Sequence, residues 1–159
     1  MEVIEFLGAS QVTAFVYGPD KVQCLLSRNF ISDDKGGSLA AAYLEGWYRH
    51  DPLYRQIMEA GDSSCEVQRL DDLKPHIEQA YLERFFGAPG FRDKTAILIV
   101  DGMFRMVLNI YFIAQAEDSL LPGKHAVGDG FCYILGRTLA THFQRSRPPE
   151  APLPLAVVR

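Results

Sequence analysis

The stretch GWYRHDPLYR concentrates aromatic and charged side chains around Asp51. Tyr43 and Trp47 are four residues apart, so on a helix they share one face, and Tyr54 adds aromatic surface nearby. A carboxylate in an aromatic pocket can accept a hydrogen bond from an N–H or O–H group of an organic ligand. The structural alternative is that Asp51 caps a helix and the aromatic residues fill a core, and it is the favoured one for each residue taken alone.

A second aromatic group lies in and before the most apolar part of the chain. Phe85 and Phe91 flank a turn rich in Gly and Pro, and Tyr111 shares a strand face with Asn109. Asn109 must find a partner if it is buried. Lys94 could serve an anionic ligand, but the acidic residue before it favours a solvated pair at the strand edge. The predicted ligand-binding residues are Tyr43, Trp47, Asp51, Tyr54, Phe85, Phe91 and Tyr111.

Signs of catalysis are scarce in the sequence. The four histidines lie in different predicted elements without metal-ligand spacing, and no GxSxG, P-loop or GxGxxG motif is present. Cys24 and Cys132 fall in apolar surroundings, where a thiol is usually inert, so a thiol-dependent reductase is the least favoured hypothesis. Three widely spaced cysteines fit neither a disulfide framework nor a zinc site. We predict a protein that is not an enzyme and needs no cofactor.

Length and charge limit the functions open to the chain. Its 159 residues suit one domain, and a net charge of −4 with a pI near 5.5 gives it no surface suited to DNA. The segment MEVIEFLGAS lacks the basic residues of a secretory signal, and no apolar run reaches the length of a membrane-spanning helix. A cytoplasmic protein without membrane contact is expected.

Strands and helices alternate along the predicted domain. Strands are predicted as a hairpin over residues 11–28, a short strand from Ser64 to Leu70, and two central strands joined by a hairpin turn at Asp101-Gly102. Helices are predicted from Ser38 to about His50, Asp51 to Ala60, Pro75 to about Phe86, and His125 to Arg145. The expected fold is α+β, with a five-stranded, mostly antiparallel sheet flanked by helices as in PAS- or GAF-like αβα sandwiches. Residues 1–145 would form this domain and the Pro-rich residues 146–159 a linker.

The order of several short motifs resembles the N-terminal sensory domains of LuxR-type transcriptional regulators. The motifs are WYRHDPLY, RLDDLKPHIEQAYLERFFGAPGFRDKTAIL, MVLNIYF and LATHFQR, within residues 40–145. The resemblance implies a bacterial cytoplasmic domain that binds a small molecule and controls dimeric DNA binding by a separate helix-turn-helix domain. In quorum-sensing members, the aspartate at the position of Asp51 is hydrogen-bonded to the amide of an acyl-homoserine lactone. Ser38 and Ala42 stand where those members carry Trp and Tyr, which argues against that ligand.

Two hypotheses of different classes follow. The first is a sensory domain whose ligand lies between sheet and helices and shifts the last helix and the linker. The second is a dimerisation or protein-interaction module of GAF or PAS type with a filled core and no ligand. A homodimer is expected.

Overall fold

A five-stranded antiparallel sheet forms the centre of the protein in the computed structural model, which describes residues 8–30, 35–113 and 128–146. Its strands are β1 (Gln11–Tyr17), β2 (Val22–Asn29), β3 (Ser63–Arg69), β4 (Phe91–Asp101) and β5 (Phe104–Ile113). They lie in the order β2-β1-β5-β4-β3, and every neighbouring pair is antiparallel. The predicted α+β fold with five strands is confirmed.

Both predicted hairpins are present, and their turn residues explain why. In the first, the Gly18 N–H donates to the Lys21 carbonyl oxygen at 2.7 Å. In the second, Gly102 has a φ of +58°, a conformation that glycine adopts without steric cost. The central strands β4 and β5 are buried on both faces over most of their length, as their nearly continuous apolar sequence predicts.

Helices and short helical turns connect these strands. The helices are α1 (Lys35–Leu44), α2 (Pro52–Glu59), α3 (Leu70–Leu73), α4 (Gln79–Leu82) and α5 (Asp129–Arg145), with 3-10 turns at Trp47–His50 and Lys74–His76 and a π turn at Glu83–Gly87. Helix α2 begins directly after Asp51, as predicted. The predicted start of the last helix, before residue 128, lies outside the described residues, and so does the predicted linker apart from Ser146.

Two predicted helices differ from the observed ones. The helix predicted from Ser38 begins at Lys35 and ends at Leu44, because Gly46 has a φ of +134° that a right-handed helix cannot contain. The helix predicted from Pro75 to Phe86 is interrupted, since Ile77 is extended and only short α and π segments follow it.

The strand residues alternate between two distinct cores. On the face that we call the tyrosine face, Tyr17, Lys94 and Tyr111 point toward α1, α2 and the π turn. On the other, which we call the α5 face, Ile97 and Ile99 pack against α5. Helices therefore cover both faces of the sheet, in the predicted αβα arrangement.

Helix α5 lies unusually close to β4. Cys132, Gly136 and Ala140, one turn apart on α5, are all buried. A Cβ atom placed on Gly136 would lie 2.7 Å from Cγ2 of Ile97, so only glycine fits there. The α5 face is thus closed by direct helix-on-strand packing.

Candidate functional site

Asp51 lies at the junction of a helix start and a buried hydrogen-bond network. Its Oδ1 accepts from the Leu53 N–H at 2.9 Å, which caps α2. Its Oδ2 accepts from the hydroxyl of Tyr43 at 3.0 Å and from the hydroxyl of Tyr81 at 3.2 Å. Asp51 is only 5% exposed. The residue therefore serves as the expected helix cap and also as the acceptor at the centre of a polar network.

Tyr17 extends this network from β1. Its hydroxyl is hydrogen-bonded to that of Tyr43, and because the single hydroxyl hydrogen of Tyr43 goes to Asp51, Tyr17 must be the donor. Burial, and next the Asp51 carboxylate, raise the pKa of Tyr17, Tyr43 and Tyr81 well above the ordinary value. All three hydroxyls thus keep their protons at neutral pH and remain donors.

Phe85, on the π turn, is the centre of a group of aromatic rings from Tyr43, Trp47, Tyr81 and Phe85, which we call the aromatic wall. Its ring centroid lies 4.5 Å from that of Tyr81, 5.8 Å from that of Trp47 and 6.1 Å from that of Tyr43. Trp47 is not on α1 with Tyr43 as predicted, because the helix ends before it, yet the 3-10 turn still brings the two residues to the same ring. The interrupted segment that replaces the predicted helix thus places Phe85 in contact with the other rings of the aromatic wall.

A small cavity of about 20 Å³ lies between the sheet and α1. It is lined by Gln11, Thr13, Phe15, Leu39, Ala40, Tyr43, Phe85, Phe91 and Tyr111. A volume of this size holds about one water molecule, whereas sites for drug-sized ligands measure about 300–1,000 Å³. An organic ligand could therefore enter only if α1 or the π turn moved away from the sheet.

All seven predicted ligand-binding residues belong to the core of the tyrosine face, but they differ in their relation to the cavity. Four of them line it: Tyr43, Phe85, Phe91 and Tyr111. The other three stand behind this lining. Asp51 accepts a hydrogen bond from Tyr43, Trp47 packs on Phe85, and the ring of Tyr54 lies 6.0 Å from that of Tyr17.

The ligand-binding residues predicted from the sequence do not include the inward side chains of β1. Gln11, Thr13 and Phe15 line the cavity, and Tyr17 joins the network. The signal was available in the segment QVTAFVY, because its odd-numbered residues share one strand face and include two polar side chains. Leu39 and Ala40 of α1 carried no such signal.

Lys94 is buried, which corrects the expectation of a solvated pair at the strand edge. It is 2% exposed, because β4 already begins at Phe91 and Lys94 points into the core with Tyr111 opposite it. Its Nζ lies 5.5 Å from the ring centroid of Tyr111 and 5.9 Å from that of Phe86. Burial lowers the pKa of Lys94, and the Asp51 carboxylate opposes this shift. Within the described part of the chain, Nζ makes no hydrogen bond or ion pair.

Asn109 is the second polar residue on this face with unmet hydrogen bonding. Its Nδ2 donates weakly to Oγ1 of Thr13 at 3.3 Å, while its Oδ1 is buried without a partner in the described structure. If the amide were turned around, the nitrogen would be the group without a partner. Asn109 is therefore buried, but only one end of its amide has the partner that a buried residue at this position was expected to find.

The described residues give little support to thiol or metal chemistry. Burial raises the pKa of the thiols of Cys24, Cys65 and Cys132, which disfavours the nucleophilic thiolate. Residues 8–30, 35–113 and 128–146 contain no group of three side chains able to hold a metal ion. Nor does any helix in these ranges have the length and apolar character to cross a membrane.

Comparison with known proteins gives a fold likeness. No protein-family model matches the chain, and no curated protein sequence matches it significantly. Among solved structures, the crystal structure of the VqsR LBD domain from Pseudomonas aeruginosa is similar, with a TM-score of 0.60 and 13% sequence identity. The similarity covers 92% of this chain and 86% of that one. At this identity the likeness shows a shared fold.

Proposed function

We propose that this chain is the sensory domain of a bacterial LuxR-type transcriptional regulator and that it binds a small organic molecule between the tyrosine face and α1. The carrying observation is the pair of buried polar residues, Lys94 and Asn109, whose hydrogen bonding the described protein leaves incomplete. A core built only for stability rarely keeps such groups, because each one costs free energy. The fold likeness to VqsR, a LuxR-type regulator, and the LuxR-like order of sequence motifs support the same function.

The ligand would act by completing this core. The cavity of about 20 Å³ is too small for it, so binding would select a conformation in which α1 or the π turn lies farther from the sheet. Any compound that binds only the folded protein also stabilises it by mass action. In the full regulator we propose a cytoplasmic homodimer whose DNA contacts come from a separate domain, consistent with the net charge of −4. We further propose that the domain has no enzymatic activity.

A thermal-shift screen with fractionated bacterial metabolite extract tests the proposal. At least one fraction should raise the unfolding temperature of the wild type. In the Ala40→Leu variant, the added side chain occupies the cavity, so the response should be lost. Ala80→Leu, at an exposed position in α4, is the matched control and should respond like the wild type. The proposal fails if no fraction stabilises the wild type, or if Ala40→Leu responds as strongly.

The nearly filled core favours the second candidate, a ligand-free interaction module. A cavity that holds about one water leaves no space for an organic ligand without rearrangement. Under this alternative, the extract has no effect and light scattering finds a stable dimer whose dissociation lowers the unfolding temperature. The incomplete hydrogen bonding of Lys94 and Asn109 is the reason to place it second.

A further inference from the structure

The network around Asp51 leaves little room for a ligand donor at that carboxylate. It already accepts three hydrogen bonds, from the Leu53 N–H and from the hydroxyls of Tyr43 and Tyr81. A carboxylate has about four acceptor sites in all. A ligand N–H group would therefore have to displace a tyrosine or compete for the last site.

Lys94 is in the opposite situation. An ammonium group has three N–H donors, and the described residues supply Nζ with two aromatic rings but no hydrogen-bond acceptor. The nearby tyrosines cannot supply a negative charge, because burial keeps Tyr81 and Tyr111 protonated by raising the pKa of each. The Asp51 carboxylate acts on Lys94 electrostatically but forms no ion pair with it. Among the described residues, what Nζ of Lys94 lacks is an acceptor within hydrogen-bond distance.

The position of Lys94 brings its N–H donors close to the cavity. Lys94 lies opposite Tyr111 in the β4–β5 register, and Tyr111 lines the cavity. The rings of Tyr111 and Phe91 are stacked with centroids 4.8 Å apart, and both face the cavity. A molecule that opened the cavity beside these two rings would have an apolar surface against its body. One of its ends would lie close to the Lys94 ammonium.

We propose that the molecule sensed here is a small organic acid whose carboxylate binds the Lys94 ammonium and whose apolar body lies along the aromatic wall. This inference rests on the proposed sensory function and adds the chemical class of the ligand. A carboxylate at Lys94 would form charge-assisted hydrogen bonds in a site shielded from water, where such bonds are strongest. It would also remove the penalty of a buried charge without an acceptor.

Matched acid and amide probes test the charge requirement. We choose phenylacetate with phenylacetamide, indole-3-acetate with indole-3-acetamide, and octanoate with octanamide. Trp47 is the single tryptophan and contacts Phe85, so its fluorescence reports on the aromatic wall, with the thermal shift as a second readout. Acids should bind the wild type at least about 10-fold more tightly than their amides. Equal or tighter binding of the amides overturns the proposal.

Variants of Lys94 test the residue itself. Lys94→Met keeps the length and apolar stem of the side chain and should reduce acid binding at least about 10-fold. Lys21→Met, at an exposed lysine in the first hairpin turn, is the matched control and should bind as the wild type does. Without any probe, Lys94→Met should raise the unfolding temperature, because it removes a buried polar group that has no acceptor among the described residues. A lower unfolding temperature, or failure to fold, would show that the ammonium has an internal partner and would overturn the proposal.

The extract screen separates failure of this inference from failure of the sensory function. Suppose that no probe binds but an extract fraction stabilises the wild type. The active compounds should then be retained on an anion exchanger and should lose their effect on Lys94→Met. If they are not retained, or if the effect persists, the organic acid is wrong and the sensory function stands. If no fraction stabilises the wild type, both proposals fail.

Discussion

On the α5 face, helix α5 lies against apolar strand residues through Cys132, Gly136 and Ala140, whereas on the tyrosine face short helical segments cover a core that contains Asp51 and Lys94. The first arrangement achieves contact so close that a Cβ atom on Gly136 has no space. The second includes a cavity of about 20 Å³ and incompletely bonded polar groups. One sheet therefore carries one face built for dense packing and another built around polar chemistry.

This difference separates stability from function in the molecule. Dense apolar packing needs no ligand to account for it. Buried polar groups with unmet hydrogen bonds lower stability, and proteins keep such groups chiefly where function requires them. The tyrosine face is therefore the place to look for function, and four experiments compare it with the α5 face.

Alkaline pH should give the largest effect. Burial raises the pKa of four tyrosines on the tyrosine face, namely Tyr17, Tyr43, Tyr81 and Tyr111. Above pH 10 the unfolded chain loses these protons while the folded protein keeps them, so stability present below pH 10 is lost as pH rises. The loss is about 1.4 kcal/mol per tyrosine per pH unit, or about 5 kcal/mol at pH 11. Lys94, whose pKa burial lowers, acts in the opposite direction, but only up to about pH 10.5.

Urea unfolding at pH 9 and pH 11 measures this loss. Tyr111→Phe should reduce it by about a quarter. Tyr133→Phe, at an exposed position on α5, should leave it unchanged. Equal effects of the two variants would contradict the contrast between the faces.

Asp51→Ala should destabilise the protein by about 4 kcal/mol. The change removes the cap of α2, worth about 1 kcal/mol, and leaves the buried hydroxyls of Tyr43 and Tyr81 without their acceptor, at about 1–3 kcal/mol each. Chemical denaturation measures the free energy of unfolding. Asp72→Ala, on the exposed surface of α3, should change it by less than about 0.5 kcal/mol. A loss below about 1 kcal/mol for Asp51→Ala would mean that the network contributes nothing beyond the cap.

Gly136→Val should cost about 3 kcal/mol on the α5 face. The new side chain would overlap Ile97 and Ile99, and a close-packed interface relieves such overlap only by moving the helix. Gly130→Ala on the same helix meets no atom of the described residues within 4 Å and should be neutral or slightly stabilising. Both free energies come from urea denaturation. A tolerated valine would mean that α5 is not held closely on the sheet.

Tyr81→Phe should have the smallest effect, about 1 kcal/mol. It removes one of the three donors to Asp51 and leaves the ring and its packing on Phe85 in place. The control is Tyr48→Phe, at a half-buried residue with no hydroxyl bond in the described structure, and it should have almost no effect. Thermal unfolding resolves the difference, and equal shifts would contradict a role for the Tyr81 hydroxyl in the network.

The strands were predictable because their signals are local. Local patterns predict the same structure whatever surrounds them, and the strands rest on such patterns: the hairpin turns at Gly18 and Gly102 and the apolar runs of β4 and β5. The break in the helix predicted over residues 75–86 was not predictable, because the apolar spacing suits a continuous helix. The observed chain is extended at Ile77. The π turn that follows buries Phe85 and Phe86, and local propensity does not anticipate that packing.

The candidate site was predictable in its residues and not in its connections. Aromatic type and spacing brought Tyr43, Phe85 and Tyr111 into consideration, and all three line the cavity. The sequence could not indicate that Asp51 joins two tyrosines from distant segments. Nor could it indicate that Lys94 is buried beside Tyr111, because the charged neighbour of Lys94 suggested an exposed strand edge.

The sequence by itself determined the fold class, the hairpins and the cap at Asp51, since each depends on residues within one turn or one strand. Only the tertiary structure decided which side chains share a core, because that depends on the register that places Lys94 opposite Tyr111 and on the helices folded over them. Burial left the amine of an ordinary lysine without an acceptor among the described residues, and that property belongs to its surroundings and not to its type.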